Sequence, residues 1–327
     1  MKRTAGRIDA AAYEVLAAAY AKACTEVCQE AVGAYRTKTT RAGEFIYVSC
    51  YPLISPGASR AQKDRLEELR SGKASVAARG KYDRYNNKRR QERCEQLAHA
   101  NFGRGDFHVT LTYEVEDWDR RSDRNPIDQR TREEAKRELT NWLARVRRRL
   151  RRYGCDLSKF KWLRVTVTRA GNNEGPRERP ETHHHHVLLG GVPEELRGEI
   201  ERLWPYGYCN ADRLQPDDKG IAAVAQYIAK QEGSANGQHS RKEKSWSGSR
   251  NLKQPATTTS DSRISRRRVS QIAADVRRAG REIFEAVYPG YRTVEEPTVA
   301  LSDFCAGAYI RAKLRIKNRA AEGRGAA

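Results

Sequence analysis

The stretch FHVTLTY, Phe107 to Tyr113, alternates strictly between apolar and polar residues. A period of two puts Phe107, Val109, Leu111 and Tyr113 on one face of a strand and His108, Thr110 and Thr112 on the other. The alternation returns in KWLRVTVTR, Lys161 to Arg169, where Leu163, Val165 and Val167 oppose Arg164, Thr166 and Thr168. Two further short strands are predicted in THHHHVLLGG (Thr182 to Gly191) and YCNADRL (Tyr208 to Leu214). Helix patterns fall between them. One begins at Thr131, whose capping box with Glu134 opens TREEAKRELTNWLARVRRRLRRYG, and it stops at Gly154. A second is PEELRGEIERLW, with Pro193 suited to its first turn, and a third is DKGIAAVAQYIAKQ, Asp218 to Gln231. The order β-α-β-β-α-β-α predicts an α+β fold, an antiparallel sheet with helices on one face.

Around this core the chain divides into 1–80, 81–255 and 256–327. The first part holds an Ala-rich helix pattern over about 8–34 and the strand-like EFIYVSCYP from Glu44; a helix over about 81–100 opens the second. Residues 234–262 read as an exposed hairpin or loop. The last part reads as helical, with SRRRVSQIAADVRRAGREIFEAVY from Ser265 and a shorter helical stretch, FCAGAYIRAKLRIK. With 63 Lys and Arg against 42 Asp and Glu, the net charge of +21 favours a polyanionic partner, nucleic acid above all. No run approaches the roughly 20 apolar residues of a membrane span, and MKRTAGRIDA lacks the apolar core of an export signal. Seven scattered cysteines do not form a disulfide framework, which places the chain in a reducing cytoplasm.

The chemistry concentrates in His183-His184-His185-His186. Side chains alternate along a strand, so if Val187 and Leu189 face the core, His185 joins them and His184 and His186 face the other way. That other face is expected to carry Thr110, Thr112, Thr166 and Thr168. Two imidazoles at i and i+2 are placed to bind one divalent ion. Downstream, Tyr227 and Lys230 stand three residues apart on one helix face, so a phenol and an ammonium can reach one substrate.

Taken together, these segments resemble the His-hydrophobic-His endonucleases, and among them the rolling-circle replication initiators of plasmids and single-stranded DNA phages. FHVTLTY is similar to their first motif, His184-His185-His186-Val187-Leu188-Leu189 to the metal-binding motif, and Tyr227-Ile228-Ala229-Lys230 to the nucleophile motif. WSGSRNLKQ (Trp246 to Gln254), PGYR (Pro289 to Arg292) and the SDF at Ser302 are similar to phage-type members. The likeness spans about 80–315 and departs from the family at His185, where a hydrophobic residue is usual. The resemblance implies a ferredoxin- or RRM-like βαββαβ core, with Mg²⁺ or Mn²⁺ held by His184 and His186. A third ligand, often a carboxylate, is not evident in Thr168-Arg169-Ala170-Gly171; Glu174 and Glu181 are candidates. Tyr227 would attack phosphorus to give a 5′-phosphotyrosyl adduct and a free 3′-OH primer, with Lys230 stabilising the developing charge.

The implied partner is single-stranded DNA at a replication origin, in the cytoplasm of a bacterial host. Arg148, Arg149 and Arg152 on the long helix would meet phosphates, and Trp246, Arg250 and Asn251 would stack on or hydrogen-bond unpaired bases. The chain has no GxxxxGK[ST] loop, so a host helicase would unwind the template and a host polymerase would extend the primer. A single tyrosine in the motif points to termination by a second protomer or another nucleophile. The alternatives are a conjugative relaxase or a transposase of the same chemistry, a non-catalytic nucleic-acid-binding protein, and an unrelated metallohydrolase.

Overall fold

The computed structural model describes residues 34–53, 76–114, 131–169, 182–230, 246–302 and 305–317, with the isolated positions 19, 22, 64 and 67. The predicted helix over 8–34 and the candidates Glu174 and Glu181 lie outside the described residues. The elements, in chain order, are β1 (Ala34–Ala42), β2 (Phe45–Leu53), α1 (Val76–Asn101), β3 (Phe107–Thr112), α2 (Arg132–Arg152), β4 (Lys161–Arg169) and β5 (Thr182–Gly190). After a 3-10 turn at Glu194–Leu196 come α3 (Arg197–Arg202), β6 (Cys209–Arg213), α4 (Ala222–Lys230), β7 (Ser247–Gly248) and β8 (Ala256–Ser260). The chain closes with α5 (Arg266–Ala274), α6 (Arg278–Val287), β9 (Tyr291–Thr293), β10 (Thr298–Ser302) and β11 (Cys305–Ile316). The fold is α+β with two antiparallel sheets, one in each of two compact units, 86–254 and 1–85 with 255–327.

The unit 86–254 contains a five-stranded sheet in the order β6-β3-β5-β4-β7, with β5 at its centre. Helices cover both of its faces rather than one. On the first face, Phe107, Val109, Leu111, Val187 and Leu189 pack against Ala135, Leu139, Trp142, Leu143, Val146 and Leu150 of α2 and Ile200 of α3. The spacing of those α2 residues is an amphipathic stripe, and the Thr131–Glu134 capping box starts the helix as expected. It ends before Gly154, whose φ of 86° suits a residue without Cβ. On the second face, Leu163, Val165, Val167 and Leu188 pack against Cys94, Leu97 and Ala98 of α1, Phe102 just after it, and Ala225 and Ile228 of α4. The apolar residues of β3 and of β4 therefore point to opposite sides, which a sheet buried on both faces permits.

The other unit shows a correction. Its sheet runs β10-β11-β2-β1-β8, with β9 also paired to β11, so the segments before and after the central unit together build one antiparallel layer. FCAGAYIRAKLRIK is a strand, not a helix: Ala308, Ile310, Ala312 and Leu314 are buried and alternate with Tyr309, Arg311 and Arg315. β1, whose sequence YRTKTTR is largely polar, is held by nine residue pairs to β2 and five to β8. ATTTS, expected in an exposed loop, is that edge strand β8. The helix expected from Ser265 forms as α5 and α6, interrupted at Asp275, whose carboxylate accepts from the Arg278 amide at 2.9 Å. Val269, Ile272 and Phe284 of this pair pack on Tyr35, Val48 and Ile310. Tyr288 ties the layers together through a 2.6 Å hydrogen bond with Thr39 Oγ1.

Trp142 is fully buried in the first core, and its indole N–H donates to the Ile200 carbonyl at 3.1 Å. Trp142→Ala is expected to cost about 3–5 kcal/mol through the cavity and the orphaned carbonyl, measured as a lowered midpoint of urea unfolding.

Candidate active site

The strand pairing decides which imidazole faces which way. In β5, His186 lies opposite Thr110 of β3 and Val165 of β4, and His184 lies opposite Thr112 and Val167. His185 lies opposite Leu111 and Thr166, and His183 opposite Thr168. His184 and His186 thus share a face with Thr110 and Thr112, as read from the sequence. Thr166 and Thr168 are on the other side, with His183 and His185. The expected four-threonine face is two threonines, because β4 sits in the register that turns its valines toward the histidine pair.

All four imidazoles are buried, and threonine hydroxyls of neighbouring strands meet three of them, His183, His185 and His186. His185 is inaccessible; its Nδ1 meets Thr166 Oγ1 and its Nε2 meets the Tyr113 hydroxyl, each at 3.0 Å. Burial, reinforced by the neighbouring His184 imidazole and the Arg164 guanidinium, holds His185 well below the ordinary imidazole range and keeps it neutral. His183 Nδ1 meets Thr168 Oγ1 at 3.0 Å, and the same hydroxyl accepts from Arg132 at the start of α2. These two histidines are structural members of the first core.

The opposite pair is arranged differently. The His184 and His186 rings stand edge to face with centroids 5.1 Å apart. His186 Nδ1 meets Thr110 Oγ1 at 3.3 Å, which fixes the ring. A residue the sequence reading did not assign joins them: His108 stacks on His186 with centroids 5.4 Å apart. Its Nε2 is buried and makes no hydrogen bond, and burial lowers its basicity despite the opposing influence of Asp212. The signal for His108 was its place on the polar face of FHVTLTY, two residues from Thr110. Among the described residues no set of three or more His, Cys, Asp or Glu side chains is already gathered as a metal site. The donors on this face are imidazoles, which would suit a divalent ion only if water and phosphate oxygens completed its coordination.

Tyr227 on α4 meets this face. Ile221, Ala222, Ala225 and Ile228 anchor the helix in the second core, while the Tyr227 ring stays 42% exposed. The ring stands edge-on to His186, centroid to centroid 4.8 Å. A phenol that is open to solvent yet packed edge-on against His186 can be approached by a phosphodiester. The backbone of Lys230 ends α4; its side chain lies outside the described residues.

The proposed DNA contacts are placed elsewhere or are occupied. The stripe of α2 that is buried sets the helix on the His185 side of the sheet, so Arg148 and Arg152, both exposed, stand across the sheet from His184 and His186. Arg149 forms a bidentate ion pair with Glu199 through Nε and Nη2. Trp246 is half-buried against the second core rather than held out for stacking. Asn251 donates to the carbonyls of Ser158 and Phe160 at 3.0 and 2.9 Å, closing a loop. Arg250 between these anchors is exposed. The segment WSGSRNLKQ is largely a sheet edge and its fastening: β7 pairs with Leu163 and Arg164, Leu252 is buried, and Asn101 exchanges hydrogen bonds with the backbone of Lys253.

His185→Leu is expected to lose about 1–3 kcal/mol of stability in denaturant unfolding, since two buried hydroxyls lose their partner. Arg149→Ala should leave the unfolding midpoint nearly unchanged in the same measurement, because its pair with Glu199 is solvent-screened, about a third exposed.

No curated protein and no solved structure matches the chain. No helix among the described residues is long and apolar enough to cross a membrane. Residues 106–232 hold β3 to β6 together with His108, His184, His186 and Tyr227, and this segment matches the family model of the replication-associated protein ORF2/gene II protein, consistent with a rolling-circle replication initiator protein.

Proposed function

We propose that the protein nicks and rejoins single-stranded DNA at a replication origin through Tyr227, as a rolling-circle initiator. The observation that carries this reading is the half-exposed Tyr227 ring set against His186 on the face shared with His184 and His108. In the forward step the Tyr227 oxygen bonds to phosphorus and the bond from phosphorus to the 3′ oxygen breaks. The phenol proton leaves with solvent or a base, and the departing 3′ oxygen takes one up. The 5′-phosphotyrosyl ester keeps the energy of the phosphodiester, so a 3′-OH can reverse the step without ATP.

His184 and His186, with His108 beside them, would hold Mn²⁺ or Mg²⁺, and that ion supplies Lewis-acid polarisation of a phosphoryl oxygen. Thr110 fixes the His186 ring through its Nδ1. Tyr227 waits beside the imidazoles, and Lys230, one turn on, favours the phenolate and the charge on the pentacovalent phosphorus. The 3′-OH primes a host polymerase behind a host helicase, in the bacterial cytoplasm.

The test is incubation of the full chain with labelled single-stranded origin DNA and Mn²⁺, followed by a denaturing gel. Wild type should yield a strand covalently bound to protein, and EDTA should prevent it. Tyr227→Phe should bind the DNA with unchanged affinity and yield none. His184→Ala and His186→Ala should slow adduct formation about 100-fold or more. Thr110→Ala should weaken Mn²⁺ binding about 10- to 100-fold, read by titration of Mn²⁺ electron paramagnetic resonance. His185→Leu should leave Mn²⁺ binding intact. An adduct that survives Tyr227→Phe, or wild type that forms none, would overturn the reading.

A further inference from the structure

The helix that carries Tyr227 is held by a pair of polar side chains that the proposed chemistry does not use. Both come from α1. The backbone N–H of Ile221, immediately before α4, donates to His99 Nε2 at 3.1 Å. An imidazole nitrogen that accepts a hydrogen bond carries no proton, so the ring proton of neutral His99 is on Nδ1. Nδ1 lies 4.0 Å from Glu95 Oε1, one helical turn away on α1. The other oxygen of Glu95 accepts from Gln226 Nε2 at 3.1 Å, and Gln226 is the residue before Tyr227. Both side chains are deeply shielded, with 2% exposure for His99 and 9% for Glu95.

A buried carboxylate is expensive to desolvate and is kept only with its partners in place. Two of its contacts lead to α4: one reaches the start of the helix through His99, the other its middle through Gln226. The apolar contacts of Ile221, Ala225 and Ile228 are compatible with small slides of α4 along the sheet; hydrogen bonds are directional and fix its rotation and height. We infer that Glu95 and His99 are positioning residues that set the rotation of α4 and so hold the Tyr227 oxygen in line for attack. The inference rests on the nicking reading of Tyr227. Both residues sit on α1, whereas the imidazole face is built on strands β3 and β5, so metal and DNA affinity are expected to be independent of them.

The experiment compares Glu95→Ala and Glu95→Gln with wild type in the full chain. Glutamine keeps an oxygen that accepts from Gln226, whereas alanine keeps nothing. Glu95→Ala is expected to form the covalent adduct about 10- to 100-fold more slowly, yet to the same final yield, since a displacement of about 1 Å is enough for such a loss. Its Mn²⁺ and oligonucleotide affinities should match wild type, and Glu95→Gln should recover most of the rate. Amide hydrogen exchange at Ile221 and Tyr227 should be faster in Glu95→Ala than in wild type. An unchanged rate with unchanged exchange would overturn the inference. So would a loss that appears as a smaller active fraction or as weakened DNA and Mn²⁺ binding, the marks of a merely structural role. Should wild type form no adduct, the nicking reading fails while the exchange still decides the clamp: unaltered protection of Ile221 would overturn it, and faster exchange would uphold the hold on α4.

Discussion

Successive side chains of a β-strand point to opposite faces, and in β5 that geometry divides four consecutive histidines between two environments. A slip of one residue in the pairing with β3 and β4 would exchange them, taking His185 out of its hydroxyl pocket and the His184/His186 pair into the α2 core. The register is held by what each imidazole meets. His185 is boxed by Thr166 and Tyr113, His183 by Thr168, and His186 by Thr110, so three of the four rings have a threonine hydroxyl of a neighbouring strand to fix them. Burying the His185 imidazole costs little once both its nitrogens are matched in this way. Val187 and Leu189 add an apolar lock on the same side as His185.

The second constraint is that helices cover both sides of the sheet. One layer, α2 with α3, closes over His185 and makes that side a plain core. The other, α1 with α4, closes over Leu163, Val165 and Val167, and leaves the imidazole pair beneath the edge of α4, where Tyr227 stands. This division separates the site from the arginine-rich end of α2. The basic charge of that helix serves a different surface, and part of it is consumed locally by Glu199. The family match over 106–232 and the charge of the chain are therefore two properties that need not coincide in space.

Much of the central unit was legible in the residues. Strands β3 to β6, the capped helix α2 and the helix carrying Tyr227 follow from alternation, a capping box and an apolar stripe, all of which act within a few residues. The flanking unit was not. β1 is mostly Arg, Thr and Lys and gains its strand from two neighbours, one of them more than 200 residues away, whose pairing no local pattern records. β11 did carry the period of two, but its alanines and long cationic side chains also suit a helix, and only the sheet beside it decides between them.

The residues by themselves determined that His184 and His186 share a face, because the pleat allows nothing else once a strand is formed, and that Tyr227 lies on a helix with an apolar side toward the core. Tertiary structure alone decided the rest. It turned Thr166 and Thr168 away from the pair, added His108 to it, brought Tyr227 against His186 and engaged Asn251 and Arg149 within the fold. The physical reason is that register between strands and rotation of packed helices are set by contacts between residues far apart in the chain, and such contacts leave no period in the sequence.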